Sequence, residues 1–278
     1  MKTLRTLAAV LTAGALTLTM SACGGDSGSG SGSDGDTLKI GIKFDQPGLG
    51  LKEGDKYTGF DVEVAKYVAK ELGYDEGKIE WVQTPSPQRE SMLEAGQVKM
   101  IFATYSISDK RKEKISFGGP YFIAGQDLLV RSDETAITGP DTLTGKKLCS
   151  VAGSTPAQKI ADKYPGVDLQ TFDTYSKCVE ALASGAVDAL TTDNVILAGY
   201  AAQSQYEGKL KVVGKPFSEE KYGVGIAKGD KELCTKINTA LEKMVSDGAW
   251  QKALDETVGK SGFKVDTATN PPKPEACS

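Results

Sequence analysis

Two serines in this chain are each followed, three residues on, by an arginine: Ser86 and Arg89 in "SPQRE", and Ser108 and Arg111 in "SDKRKEK". Each pair comes just after a stretch with strand character. A serine so placed reads as a helix N-cap, and the third helical position then ordinarily holds Glu or Gln. An arginine there opposes the helix dipole, at a cost of about 0.3–1 kcal/mol on an exposed surface. An anion held at the helix start would supply the missing negative charge. Arginine grips a carboxylate with two parallel N–H donors, and the free N–H groups of the first turn add to the grip. The alternative is that both side chains face solvent or pair with Glu90 and Glu113.

Asp193 ends the run "VDALTTD" and is a candidate for holding a cation such as an ammonium group; otherwise it is a plain N-cap for "NVILAGY". Ser154 and Thr155, in "GST", offer main-chain N–H groups at a further helix start. A ligand with two carboxylates and one ammonium would satisfy this set. The chain has no histidine, which excludes His-based triads, His-ligated zinc and imidazole acid–base chemistry. An enzyme here would have to rely on carboxylates, such as Asp193 or Asp45, or on another group.

The elements that must position these groups read as alternating strands and helices. "TLKIGIKFD" is a strand running into a Gly/Pro turn. "GFDVEVAKYVAKELG" is a helix with Val64, Val68 and Leu72 at helical spacing and Gly73 at its end. "KIEWVQT" is a strand, "SPQRESMLEAG" a helix capped by Ser86 with Pro87 first, and "VKMIFAT" a buried strand. This order predicts an α/β layer with a mostly parallel sheet. The pattern then recurs. "MLEAGQVKMIFATYS" matches "ALASGAVDALTTDNV", with Gly96 and Gly185, and Thr104 and Asp193, each 89 positions apart. Two similar α/β lobes are expected, the second opening at "KKLCSVAGST". "YFIAGQDLLVRSD" and "FSEEKYGVGIAKGD" lie where the chain would cross between them. "DKELCTKINTALEKMVSDGAWQKALDE" reads as one final helix, its apolar stripe of Leu233, Ile237, Leu241 and Met244 packed on the first lobe.

The N-terminus precedes any fold. Lys2 and Arg5, an uncharged apolar run from Thr6 to Met20 and then "SAC" read as a secretory signal too short to span a bilayer as a helix. The small residues before Cys23 resemble a lipobox, so residues 1–22 would be removed and Cys23 acylated. "GGDSGSGSGSDGD" makes residues 23–36 a flexible tether. Loss of the leader would leave 31 cations against 37 acids, a net charge of −6. No long basic block survives, which argues against nucleic acid. Cys149, Cys178, Cys234 and Cys277 remain, an even number in an exported chain. Three pairings are open. Cys149–Cys178 with Cys234–Cys277 is favoured, the latter stapling the tail "NPPKPEACS" to a late helix. No CxxC spacing suggests a metal, and neither a metal nor a cofactor is expected.

The residues quoted above, with "SPQRESMLEAGQVKMIFATYSISDKRKEKISFGGPYF", "GSTPAQK", "VEALASGAVDALTTDN" and "YGVGIAKGD", resemble the polar amino-acid family (family 3) of periplasmic-type solute-binding proteins, which feed ABC transporters. "IGIKFDQPGLG" is most similar to that family's glutamate-binding lipoproteins. The resemblance covers about residues 37–260. It implies a type II periplasmic-binding-protein fold: two α/β lobes joined by two hinge strands, closing on a ligand. The first lobe would take residues 37–125, the second 126–217, and 218–278 would return to the first. By the same resemblance Arg111 would fork the ligand's α-carboxylate with help from Ser106. The main chain of Thr104 and the carboxylate of Asp193 would take the α-ammonium, and N–H groups of Ser154 and Thr155 would reach in from the second lobe. Ser86 and Arg89 would meet a side-chain carboxylate, Lys43 would add a cation, and Phe44 would wall the pocket. The family usually has Thr-x-Thr where this chain has Ser106-x-Ser108, which keeps the hydroxyl. The implied role is a monomeric, membrane-anchored binder of L-glutamate, with aspartate, glutamine or another polar amino acid as alternatives, delivering to a permease and catalysing nothing. A dehydratase-type enzyme on the same fold is the rival reading.

Overall fold

The computed structural model describes residues 37–277. The expected leader (1–22), the tether (23–36) and the acylated Cys23 lie outside the described residues.

From its start the chain forms β1 (Leu38–Ile42), a small hairpin sheet of β2 (Asp45–Gln46), β3 (Gly50–Glu53) and β4 (Lys56–Thr58), then α1 (Phe60–Glu71) and β5 (Ile79–Gln83). There follow α2 (Arg89–Glu94), β6 (Met100–Phe102), α3 (Asp109–Lys112) and the long β7 (Ile115–Ala124). The second lobe contains β8 (Gln126–Arg131), β9 (Lys147–Val151), α4 (Thr155–Lys163), β10 (Asp168–Phe172), α5 (Tyr175–Ala183), β11 (Ala189–Asp193), α6 (Asn194–Ala201) and β12 (Leu210–Val212). The chain returns as β13 (Glu220–Ala227), α7 (Lys231–Ser246) and α8 (Ala249–Glu256).

The two lobe sheets repeat one plan. The first runs β5-β1-β6-β13-β7 and the second β10-β9-β11-β8-β12. In each, three parallel strands sit in the order second, first, third, followed by an antiparallel strand. The 89-residue offset places the first residue of β6, Met100, on the first residue of β11, Ala189. The sheets are therefore mostly parallel but mixed: in each, four strands run one way and one, β13 or β8, runs against them. The reason is the crossing: β7 and β13 run antiparallel in the first sheet, and β8 enters the second sheet antiparallel to β11.

The crossings lie side by side. Gly125 separates β7 from β8, the Phe217 N–H donates to the Gln126 carbonyl at 2.9 Å, and a Cβ on Gly125 would meet Pro216 at 2.7 Å. Only a glycine lets the two linkers approach this closely.

α1 buries Val64, Ala65, Val68 and Ala69, with Asp61 and Glu63 in its first turn and Lys70 in its last, the charges its dipole favours. Gly73 follows its end at φ 90°. α7 buries the expected stripe of Leu233, Ile237, Leu241 and Met244 against the first lobe. The final helix is not continuous. Gly248, at φ 79°, ends α7 and begins α8, because a left-handed residue closes a helix that its apolar spacing alone would continue. The break lets Trp250 enter an aromatic cluster with Phe60, 5.5 Å away edge-on, and Phe122, 6.3 Å away and stacked. Its indole N–H donates to the Tyr121 carbonyl at 2.9 Å.

Both favoured disulfides are formed, with Cα–Cα separations of 5.6 Å for Cys149–Cys178 and 5.9 Å for Cys234–Cys277. The first ties β9 to α5. The second holds the tail on α7, from where Asn270 bonds both the N–H and the carbonyl of Ile123 on β7.

Candidate functional site

The carboxyl ends of the central strands of both sheets face one cleft. A small, nearly filled cavity lies there, lined by Arg89, Thr104 and Arg111 from the first lobe. Ser154, Thr155, Pro156, Tyr175, Thr192, Asp193 and Ile196 line it from the second. A larger groove between α1 and α8 is a surface feature; its Lys66 is paired with Glu63 and Glu76.

Arg111 is placed by a very short helix. Ser108 caps α3 as expected, its Oγ accepting from the Arg111 N–H at 3.4 Å. The neighbouring Lys110, Glu113 and Lys114 are exposed, whereas Arg111 is 7 % exposed. Its Nη1 donates to the Ser106 carbonyl at 2.7 Å and its Nη2 to the Gly153 carbonyl of the second lobe at 3.2 Å. Nε pairs with Glu90 at 3.2 Å, so the pairing anticipated as an alternative does occur, through the side of the guanidinium. A guanidinium has five N–H donors. These bonds use one on each nitrogen, leaving one on Nη1 and one on Nη2 to form a fork.

Arg89 is reached differently. Ser86 is not an N-cap: Ser86–Gln88 is a 3₁₀ turn leading into α2, and the Ser86 hydroxyl makes no capping bond. Instead it accepts from Lys43 Nζ at 3.1 Å and from Arg89 Nη2. Two buried cations outcompete a neutral main-chain donor for that oxygen. A hydroxyl that accepts twice still has its own hydrogen to donate. Arg89 Nη1 also binds the Ala103 carbonyl at 3.0 Å. Neither Arg89 nor Lys43 has a carboxylate at ion-pair distance among the described residues. Burial, then the nearby Arg111, brings Arg89 down to about 10. Burial, then Arg89, brings Lys43 down to about 7. The two guanidinium groups flank the Tyr105 ring at 4.5 and 4.8 Å from its centre, a stacking that spreads their charge over a π face.

The second lobe supplies the opposite sign. Asp193 ends β11 just before α6 but makes no capping bond. Its Oδ2 accepts from the Tyr222 hydroxyl at 2.6 Å, while its buried Oδ1 has no hydrogen-bond partner. Burial, and then Glu220 nearby, pushes its carboxyl well above the usual carboxylate range. A buried carboxylate oxygen without a donor is costly, and a bound cation removes the cost. Ser154 caps α4 through the Ala157 N–H at 3.2 Å, and Thr155 Oγ1 donates to Ser106 Oγ across the cleft at 2.9 Å.

Thr104 sits at φ 47°, a left-handed turn costly for a β-branched residue. Asp61 holds it there. One Asp61 oxygen accepts from the Thr104 N–H at 2.8 Å and the other from the Tyr121 hydroxyl at 2.8 Å. Burial raises the Asp61 carboxyl to about 6.

Nine of the ten sequence candidates lie at or directly behind the cavity. Phe44 does not line it. Its half-buried ring packs on Tyr57 at 5.4 Å with the Lys52 ammonium 5.3 Å from its centre. Lys43 and Phe44 lie in the bend between β1 and β2, where the Lys43 side chain reaches Ser86 while the Phe44 ring turns to the hairpin. Sequence reasoning missed Asp61, Tyr175, Thr192, Pro156 and Ile196. For Asp61 a signal was present: an acid on the apolar face of a helix, between Phe60 and Val64. Among the described residues no group of His, Cys, Asp or Glu is arranged to hold a metal, and no helix is long and apolar enough to cross a membrane.

Residues 38–260 match the family described as bacterial extracellular solute-binding proteins, family 3. The chain is 48 % identical to a glutamate-binding protein (GluB) of Corynebacterium glutamicum, over 96 % of this chain and 95 % of that one. It is 38 % identical to a glutamine-binding protein (GlnH) of Bacillus subtilis, over 79 % and 80 % of the two chains. Among solved structures it is similar to an ancestral arginine-binding protein bound to glutamine, at 35 % identity with a TM-score of 0.74, covering 80 % of this chain and 97 % of that one.

Proposed function

The chain belongs to the bacterial extracellular solute-binding proteins of family 3, and from that membership we propose that it captures L-glutamate between its lobes and delivers it to an ABC permease. The lobes are assigned to residues 37–125 with 218–278, and to 126–217. Capture breaks no bond; ligand contacts on both lobes supply the differential affinity that favours the closed form.

One observation carries the choice of an acidic ligand. Arg89 and Lys43, both buried, share one hydroxyl and have no carboxylate at ion-pair distance among the described residues. A second carboxylate on the ligand would complete them; the amide of glutamine would not. In this reading Arg111 forks the α-carboxylate, with Ser106 beside it and the Ser154 and Thr155 N–H groups opposite. The Thr104 main chain and Asp193 hold the ammonium. Arg89, Ser86 and Lys43 take the side-chain carboxylate. Phe44 has no part in the site. The similarity to a glutamate-binding protein points the same way.

Removing one partner of a buried charge pair costs about 2–5 kcal/mol. Arg89→Met should therefore weaken glutamate binding by about 100-fold and glutamine binding much less, by calorimetry. Arg111→Ala should abolish both. Equal losses for glutamate and glutamine in Arg89→Met would remove Arg89 from the distal site.

A further inference from the structure

Asp45 lies on β2 in the first lobe, two residues beyond Lys43, yet its side-chain hydrogen bonds are with the second lobe. Its Oδ2 accepts from the main-chain N–H groups of Tyr175 at 3.1 Å and Ser176 at 3.3 Å, the first two residues of α5. The same oxygen lies 3.1 Å from the Tyr200 hydroxyl, which is shared with the Asp45 carbonyl. The N-terminus of α5 is thus capped twice. Its own Thr174 serves the Lys177 N–H, and Asp45 serves the two N–H groups before it. These groups have no partner inside the helix, and a carboxylate is the charge the helix start favours.

Asp45 reaches two of the three helices that bear on the cavity from the second lobe. Tyr175 opens α5 and lines the cavity. Tyr200 is on α6, which begins directly after Asp193. The seam is tight: a Cβ on Gly199 of α6 would stand 2.3 Å from the Pro47 carbonyl oxygen, two residues past Asp45.

We propose that Asp45 is a closure latch, a first-lobe carboxylate that caps α5 of the second lobe only while the lobes are together and so slows release of the ligand. This rests on the reading of the cleft as an amino-acid site. Asp45 is a positioning residue and need not touch the ligand. In the open form its carboxylate and the α5 N–H groups both return to water. The bond therefore weights closed against open without adding a ligand contact.

The sign of the effect separates this role from plain electrostatics. Asp45 is an anion near Lys43. Removing it would by itself tighten an acidic ligand, whereas removing a latch loosens it.

The test begins by titrating the wild-type protein with glutamate, aspartate and glutamine. With whichever binds most tightly, stopped-flow fluorescence should show the dissociation rate of Asp45→Ala raised by about tenfold and the association rate within about twofold. Asp45→Asn, which keeps an acceptor but not the charge, should fall between. Gly199→Ala keeps Asp45 but props α6 off Pro47, and should shift the dissociation rate in the same direction. Unchanged dissociation in Asp45→Ala and Gly199→Ala would overturn the latch. So would a loss of affinity carried by association, which marks a damaged pocket. If none of the three amino acids binds, the ligand reading fails and the latch is decided without ligand. Amide exchange by NMR should then be several-fold faster at Tyr175 and Ser176 in Asp45→Ala, with Val179 and Leu182 unchanged. Equal exchange at Tyr175 and Ser176, in protein that X-ray scattering shows with its lobes together, would overturn it.

Discussion

A single lysine gives the proposed site a pH dependence. Lys43 releases its proton at about 7 in the folded protein, against 10.5 for an unperturbed lysine, because it is buried and faces Arg89. Between those values the unfolded chain binds more protons than the native one. The contribution of Lys43 to folding stability therefore rises with pH across that window, and the burial penalty is felt in full below it. Glutamate binding has the opposite slope, because a second carboxylate favours protonated Lys43. Affinity for glutamate should fall as pH is raised from 7 to 9, by at most about tenfold per unit. Lys43→Gln should flatten that slope, as titrations at stepped pH would reveal. Arg111 was legible in the sequence, since an arginine placed against the dipole of its own short helix needs a reason. Asp193 was legible from its 89-residue correspondence with Thr104. Tyr175 was not, because its partner lies 130 positions away; Asp61 showed as an acid on an apolar helix face, but its partner Thr104, 43 positions on, did not.

Periodicity carried most of the elements. The α7 stripe was readable at helical spacing, and its energetic weight can be measured. Leu241→Ala should cost about 2–5 kcal/mol in denaturant unfolding. Val245→Ala, at a position 38 % exposed on the same helix, should stay within about 0.5 kcal/mol. Equal costs would mean that the buried face does not hold α7 in place. The elements misread were those where local chemistry was outvoted. Ser86 has every local mark of an N-cap, but two cations claim its hydroxyl. The stop at Gly248 was hidden because the apolar residues Ala249, Trp250 and Ala253 continue the run beyond it.

At the scale of the whole molecule, the repeat of one sheet plan in two lobes creates the cleft, and the paired linkers at Gly125 and Phe217 join the lobes beside it. Cationic groups gather on one wall and an unpartnered carboxylate oxygen on the other. The two lobes were visible as an internal repeat, whereas the mixed sheets were not, since strand direction is set by the crossings. The lipid anchor at Cys23 that the sequence leads one to expect belongs to this scale too. Cys23→Ser should release the protein from the membrane fraction into the medium while leaving ligand affinity unchanged, as fractionation and titration would show. The central claim is tested most directly by calorimetric titration of the wild-type protein with glutamate, aspartate and glutamine at pH 7. The account predicts one site per chain, with glutamate bound most tightly and glutamine at least about tenfold more weakly. Glutamine binding as tightly as glutamate, or no heat from any of the three, would contradict it.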